Sequence, residues 1–281
     1  VNDKICLVTG ATAGIGFITA RELARLGAKV TIVGRSAARV DETLRQIRSE
    51  VPGARVDSLL ADLSSQAEVR RLADDVKARL DRLDVLVNNA GAMFLKRTES
   101  VDGIEMTFAL NHLSYFLLTN LLLPLIKASA PARIVNVAST AHRGVSVDFD
   151  DLEGKKTYRC WKAYSQSKLC NVLFTNELAR RLVGTGVTAN SLHPGFVRTS
   201  FLNALDGKWW SRPLRALGDR IAISPEAGAR TSIYLASSPD VEGVSGKYFD
   251  KERAVESSPQ SLDAAAAERL WRRSEEMTSS G

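Results

Sequence analysis

The sequence predicts an α/β fold: a single domain built on a doubly wound parallel sheet with helices on both faces. Three observations carry this. Short apolar runs alternate with amphipathic segments of helical period along most of the chain. The run at 83–87 is nearly all apolar, as a parallel strand covered on both faces must be. A glycine-rich turn joins the first run to the first helical segment.

The elements follow in order. Residues 5–8 read as a strand, and residues 10–16 turn into a helix over 15–26 that Gly27 ends. A second strand covers 30–33, and an amphipathic helix over 39–50 stops at Pro52-Gly53. Strands at 56–61 and 83–87 flank a helix at 66–80. Residues 103–127 form one long helix with a kink expected near Pro124. A fifth strand at 132–137, a helix at 164–182, a sixth strand at 187–192 and a helix at 225–236 complete the alternation. Residues 246–249 read as a last edge strand. Two stretches, 141–161 and 200–224, are longer than the usual connection; beside the carboxyl ends of strands they are candidates for substrate contact. Residues 251–281 form a polar tail with a helical patch at 262–276, which either docks or frays.

Composition excludes several classes. The chain has 281 residues, 44% apolar and 25% charged, the balance of an ordinary globular protein. The formal charge is +6, but Lys and Arg are dispersed, so solvated helix faces are expected rather than a nucleic-acid surface. Cys6, Cys160 and Cys170 make an odd set without a CxxC, which fits a reducing, cytoplasmic compartment. No leader or metal-site pattern is evident, and the apolar run 116–126 is interrupted by Asn120 and Pro124. A buried helix is expected there rather than a transmembrane segment, which needs about 20 apolar residues.

The turn Gly10-Ala11-Thr12-Ala13-Gly14-Ile15-Gly16 has the spacing GxxxGxG between a strand and a helix. Glycines permit close backbone approach to a pyrophosphate, and the helix N-terminus offers free N–H groups and a positive dipole end. After the second strand stands Gly34-Arg35, with no acid to bind a ribose 2′-hydroxyl. A guanidinium suits a 2′-phosphate, so NADP(H) is expected in preference to NAD(H), with Ser36 and Arg39 assisting Arg35. Tyr164 and Lys168 lie four apart on a predicted helix and project from one face. A free phenol has a pKa of about 10, and a neighbouring ammonium favours the phenolate, so the pair suits acid/base work.

With these residues in view the chain resembles the short-chain dehydrogenase/reductase family over nearly its whole length. The motifs occur in family order: Thr9-Gly10-x-x-x-Gly14-Ile15-Gly16, Asp62-Leu63, Asn88-Asn89-Ala90-Gly91, Asn111, Ser139, Tyr164-x-x-x-Lys168, and Pro194-Gly195 followed by Thr199. The resemblance implies a Rossmann-type catalytic domain over 1–250. It implies that Tyr164 exchanges a proton with the substrate oxygen and that Ser139 hydrogen-bonds that oxygen. Lys168 would hold the nicotinamide ribose and lower the Tyr164 pKa, and Asn111 would kink its helix and support a proton-relaying water. Gly10, Thr12, Ala13, Gly14, Ile15, Gly16 and Arg35 would bind the nucleotide phosphates. Asp62 and Leu63 would flank the adenine, and Asn88, Ala90 and Gly91 would pass along the cofactor. Pro194, Gly195, Val197 and Thr199 would hold the carboxamide end.

Finer features resemble the retinol dehydrogenase-like branch: Asn111-His112-Leu113-Ser114, the strand end at 133–139, the turn His193-Pro194-Gly195 and the long stretch from Ser139 to Tyr164. Residues 200–224 carry Phe201, Leu202, Leu205, Trp209, Trp210, Leu214 and Leu217, either a lid for a bulky apolar alcohol or carbonyl substrate or a helical hairpin on the core. The same resemblance implies a homodimer or homotetramer paired through the helices near 104–127 and 164–182. A reductase of another natural-product or xenobiotic ketone is the first alternative. A non-catalytic nucleotide-sensing regulatory protein is the second.

Overall fold

In the computed structural model, which describes residues 1–195 and 223–279, apolar strands of four to seven residues line up side by side. They are β1 (Ile5–Thr9), β2 (Lys29–Gly34), β3 (Arg55–Leu60), β4 (Val85–Asn88), β5 (Ala132–Val137) and β6 (Val187–His193), followed by the three-residue strands β7 (Tyr248–Asp250) and β8 (Arg253–Val255). The sheet order is β3-β2-β1-β4-β5-β6-β7-β8, and every pairing is parallel except the last. The order reverses between β1 and β4, where an open α/β sheet leaves a crevice at its carboxyl edge. The segment expected as the last edge strand is therefore an inner strand, covered by β8.

Successive strand residues point to opposite faces, and two helix layers answer them. On one face α1 (Gly14–Arg25), α2 (Ala37–Glu50) and α6 (Pro225–Ser237) bury Leu23, Ile47 and Leu235 against Cys6, Val8, Val85 and Val135. On the other, α3 (Gln66–Arg79), α4 (Met106–Ala128) and α5 (Cys160–Arg181) bury Leu72, Leu118 and Phe174 against Leu7, Leu86 and Ile134.

The helix α4 departs from the expected one. It starts at Met106 because the Glu105 carboxylate accepts the Thr107 and Phe108 amides, both at 2.8 Å. The α-helical part Ser114–Ala128 runs through Pro124, and the break in α geometry falls instead on a π-helical segment, Ala109–Leu113. By length and composition α4 is apolar enough to cross a membrane, yet 67% of its apolar window is buried inside the fold, as in a core helix.

The C-terminal helix α7 (Ala264–Ser279) lies across α4 and α5. Its Trp271 is 5% exposed, with ring centroids 5.0 Å from Phe116 and 5.7 Å from Phe174, and the Arg181 guanidinium sits 4.1 Å above it. Ser274 pairs with His112 at 2.9 Å, and Gln66 donates to the Met277 carbonyl at 2.8 Å. Part of the face expected to pair with another subunit is thus covered by the chain itself. Trp271→Ala should cost about 3–5 kcal/mol, the usual range for emptying a buried aromatic site, read as a lower urea midpoint at unchanged slope.

Candidate active site

The carboxyl ends of β1 and β4 build a cradle. Gly10 and Gly14 have φ of 63° and 55°, a region that favours glycine. A Cβ on Gly10 would meet the Ala90 backbone at 2.7 Å, and one on Gly16 would collide with the Asn89 amide and the Gly10 carbonyl. Thr9 and Asn89 brace this approach: Asn89 donates to the Thr9 and Gly10 carbonyls at 2.8 and 3.2 Å, and the Thr9 hydroxyl accepts the Asn89 and Ala90 amides. The first turn of α1 has no acidic residue and its N-cap, Ala13, has no side-chain cap. Its leading N–H groups are therefore directed at an anion's place, and the cradle fits a dinucleotide pyrophosphate.

The adjoining positions fit the rest of a nucleotide. Arg35 is exposed at the end of β2, beside Ser36, which caps α2 without a side-chain bond. Gly34 packs so closely on Thr12 that a Cβ would come within 2.5 Å of it. Asp62 is exposed and accepts from the Ser64 amide and hydroxyl at 2.9 and 2.7 Å, while Leu63 is buried against α4. The Asn88 side chain turns inward: fully buried, it donates to Thr119 and to Asn136, both at 2.9 Å. Only its backbone is left for the groove. Pro194 and Gly195 follow β6, whereas Val197, Thr199 and the expected lid up to residue 222 lie outside the described residues.

Ser139, Tyr164, Lys168 and Asn111 converge beside the cradle. Ser139 lies two residues past β5 with its backbone extended and accepts the Ala141 amide at 3.2 Å. It hydrogen-bonds the Tyr164 phenol, which counters the larger effect of burial; the net result holds Tyr164 above its ordinary pKa. The helix α5 begins four residues ahead of Tyr164, so both Tyr164 and Lys168 sit on settled helix. Lys168 is 4% exposed, donates to the Val137 carbonyl at 3.1 Å and lies 5.7 Å from the Tyr164 ring centroid. Burial lowers its pKa to about 8. The expected depression of the Tyr164 pKa by Lys168 is not what this geometry yields, because burial of the phenol dominates. Asn111, on the π segment, donates to Ala92 O at 2.9 Å and Ser167 Oγ at 3.0 Å and accepts from Ala92 N at 2.8 Å. A Cβ on Gly91 would stand 3.1 Å from Asn111 Oδ1 and 3.4 Å from Lys168 Nζ, so this wall demands a small residue.

Two further residues stand around Ser139, neither of them given a role in the site from the sequence. His142 bonds the Ser139 carbonyl, and His193 Nδ1 accepts the Thr140 amide at 3.2 Å. The signal was present: the three histidines of the chain, His112, His142 and His193, each fall within three residues of a position singled out by a motif.

The buried lysine sets a stability test. Its folded pKa of about 8 lies below the ordinary 10.5, so between those values the unfolded chain binds more protons and stability rises with pH. Below about pH 8 the enclosed ammonium opposes folding, by up to about 3 kcal/mol at about 1.4 kcal/mol per pH unit. In cofactor-free protein Lys168→Met should raise the urea midpoint at pH 7 and flatten the rise between pH 8 and 10.5. A lower midpoint at pH 7 contradicts this.

Comparison with known proteins agrees with this geometry. The profile of the family described as short chain dehydrogenase matches residues 4–208. Retinol dehydrogenase 14 of Mus musculus is 45% identical over 288 residues, spanning 99% of this chain and 86% of its own. Retinol dehydrogenase 13 of Homo sapiens is 42% identical, spanning 96% and 83%. Among solved structures, an uncharacterized protein from Mycobacterium paratuberculosis has a TM-score of 0.79 at 33% identity, covering 99% of this chain and 94% of its own. The RhlG/NADP complex of Pseudomonas aeruginosa has a TM-score of 0.72 at 28% identity, covering 95% and 97%. The chain belongs to the short chain dehydrogenase family of hydride-transfer oxidoreductases, in its retinol dehydrogenase-like branch.

Proposed function

We propose that the chain moves a hydride between NADP(H) and the carbonyl or alcohol carbon of a bulky apolar substrate, with Tyr164 as the general acid/base. The observation that carries this reading is the meeting of Ser139, Tyr164 and Lys168 beside a glycine cradle that a Cβ would fill. A bound nicotinamide supplies or accepts the hydride. Ser139 and Tyr164 hold the substrate oxygen between their hydroxyls. A phenol whose pKa is raised keeps its proton until negative charge develops on that oxygen, which suits reduction. Lys168 faces the Tyr164 ring and holds the ribose hydroxyls. Asn111 fixes Ala92 and Ser167 around that lysine and supports the relaying water. Gly10, Thr12, Ala13, Gly14, Ile15 and Gly16 take the pyrophosphate. Asp62 and Leu63 flank the adenine. Asn88, Ala90 and Gly91 line the cofactor's path through their backbone. Pro194, Gly195, Val197 and Thr199 hold the carboxamide.

Preference for NADP(H) is supported by the exposed Arg35, the missing acid and the unengaged capping side of Ser36. RhlG and actinorhodin polyketide ketoreductase, two structural relatives, are complexes with NADP and NADPH. The names of the relatives make retinol and retinaldehyde the first substrates to test, and the apolar residues of 200–224 suit such a lid. Three free thiols, two of them buried, support a reducing, cytoplasmic compartment. Residues 1–250 form the catalytic body in this reading, with 251–281 appended to it.

Tyr164→Phe should lower NADPH-dependent reduction of retinaldehyde by about 100-fold or more while NADPH still binds. Near-normal turnover in that variant refutes the assignment. Arg35→Ser should raise the KM for NADPH about tenfold, the loss of one charge-assisted bond, and leave that for NADH unchanged. Equal effects on both cofactors would remove Arg35 from the 2′-phosphate site.

A further inference from the structure

The turn that carries Ser139 is held from both sides. Ser139 is followed by a one-turn helix, Thr140–His142, and its own hydroxyl accepts the Ala141 amide at 3.2 Å. His142 is fully buried, its ring 4.8 Å from that of Tyr248 on β7. Its Nδ1 lies 2.6 Å from the Ser139 carbonyl oxygen, and its Nε2 lies 3.1 Å from the Ser258 backbone nitrogen. A carbonyl can only accept and an amide can only donate, so Nδ1 carries the proton and Nε2 the lone pair. Burial holds the ring below its ordinary pKa, which keeps it in this neutral form. Arg143 ties the same segment down by donating to the Glu256 and Ser257 carbonyls at 2.5 and 3.5 Å. On the other side the Thr140 amide donates to His193 at the end of β6.

We infer that His142 is a positioning residue: it joins the C-terminal segment at Ser258 to the Ser139 backbone and so fixes where the Ser139 hydroxyl points. Both ring nitrogens are engaged, one on each partner, which a packing role alone does not require. The inference rests on the reading of Ser139 as the group that touches the substrate oxygen. A hydroxyl displaced by a fraction of an ångström loses the geometry that the reacting oxygen needs, and the loss falls on turnover rather than on cofactor binding.

The test uses the full chain with NADPH and retinaldehyde, or whichever apolar aldehyde the wild type turns over fastest. His142→Leu should lower kcat about 10- to 100-fold while NADPH affinity, read by fluorescence, changes by less than about twofold. His142→Gln, whose amide can donate to Ser139 and accept from Ser258, should return kcat to within about threefold of wild type. His142→Phe keeps an aromatic ring beside Tyr248 and removes both hydrogen bonds; it should lower kcat in the same direction even if His142→Leu does not fold. In a Ser139→Ala background His142→Leu should have little further effect. Unchanged kcat in His142→Leu and His142→Phe overturns the inference, as does no recovery with glutamine or a full additional loss on Ser139→Ala. If Ser139→Ala itself leaves kcat unchanged, the active-site assignment is what fails.

Discussion

A lysine ammonium enclosed at the carboxyl edge of a parallel sheet is the constraint on which the site is built. Lys168 has little water, so its neighbours must supply what solvent would. The Val137 carbonyl accepts from it, and the faces of Tyr115 and Tyr164 stand 6.0 and 5.7 Å away. A Cβ at position 91 would press on Asn111 Oδ1 at 3.1 Å and touch Lys168 Nζ at 3.4 Å, so a small residue suits that wall. The Asn111 amide, committed to Ala92 and Ser167, keeps the walls of that space apart. An enclosed charge that raises the energy of the fold is tolerable where its direction matters to a reaction.

Behind the lysine runs a second polar line, and it explains why the edge holds its shape. Asn88 on β4 donates to Asn136 on β5, which donates to Thr175 on α5, whose hydroxyl donates in turn to the Asn171 carbonyl. A chain of buried amides and hydroxyls bonded in series fixes neighbours more specifically than apolar contact, because any slip costs a further hydrogen bond. It joins the strand beside the cofactor cradle to the helix that carries Tyr164 and Lys168.

Much of this was legible in the sequence, and the exceptions have physical causes. The strand at 132–137 stands at the bounds expected, with Ala132, Ile134, Val135 and Val137 all buried. Strand β8 gave no signal: Arg253, Ala254 and Val255 are all exposed, and the turn before them uses Lys251 and Glu252 at φ of 48° and 64°, where glycine or asparagine would have marked a hairpin. The start of α5 was hidden because Arg159 caps it without a side-chain bond. In the site, ordered motifs identify the residues but not their directions. Nothing local shows that the Asn88 amide turns inward, or that burial outweighs the Ser139 hydrogen bond in setting the Tyr164 proton. His142 has a partner 116 residues away, a distance at which sequence spacing carries no information.

The placement of α7 has a consequence for how this chain can assemble. Phe116 of α4 and Phe174 of α5 form an apolar surface that Trp271 covers from within the same chain. A covering segment tethered to its own docking site sees that site at an effective concentration no dilution changes. Burial that a second subunit would supply only by mass action is here supplied by a unimolecular event. A partner that docked on the part of α4 and α5 beneath Trp271 would first displace a helix held by an aromatic stack and by its hydrogen bonds to His112 and Gln66.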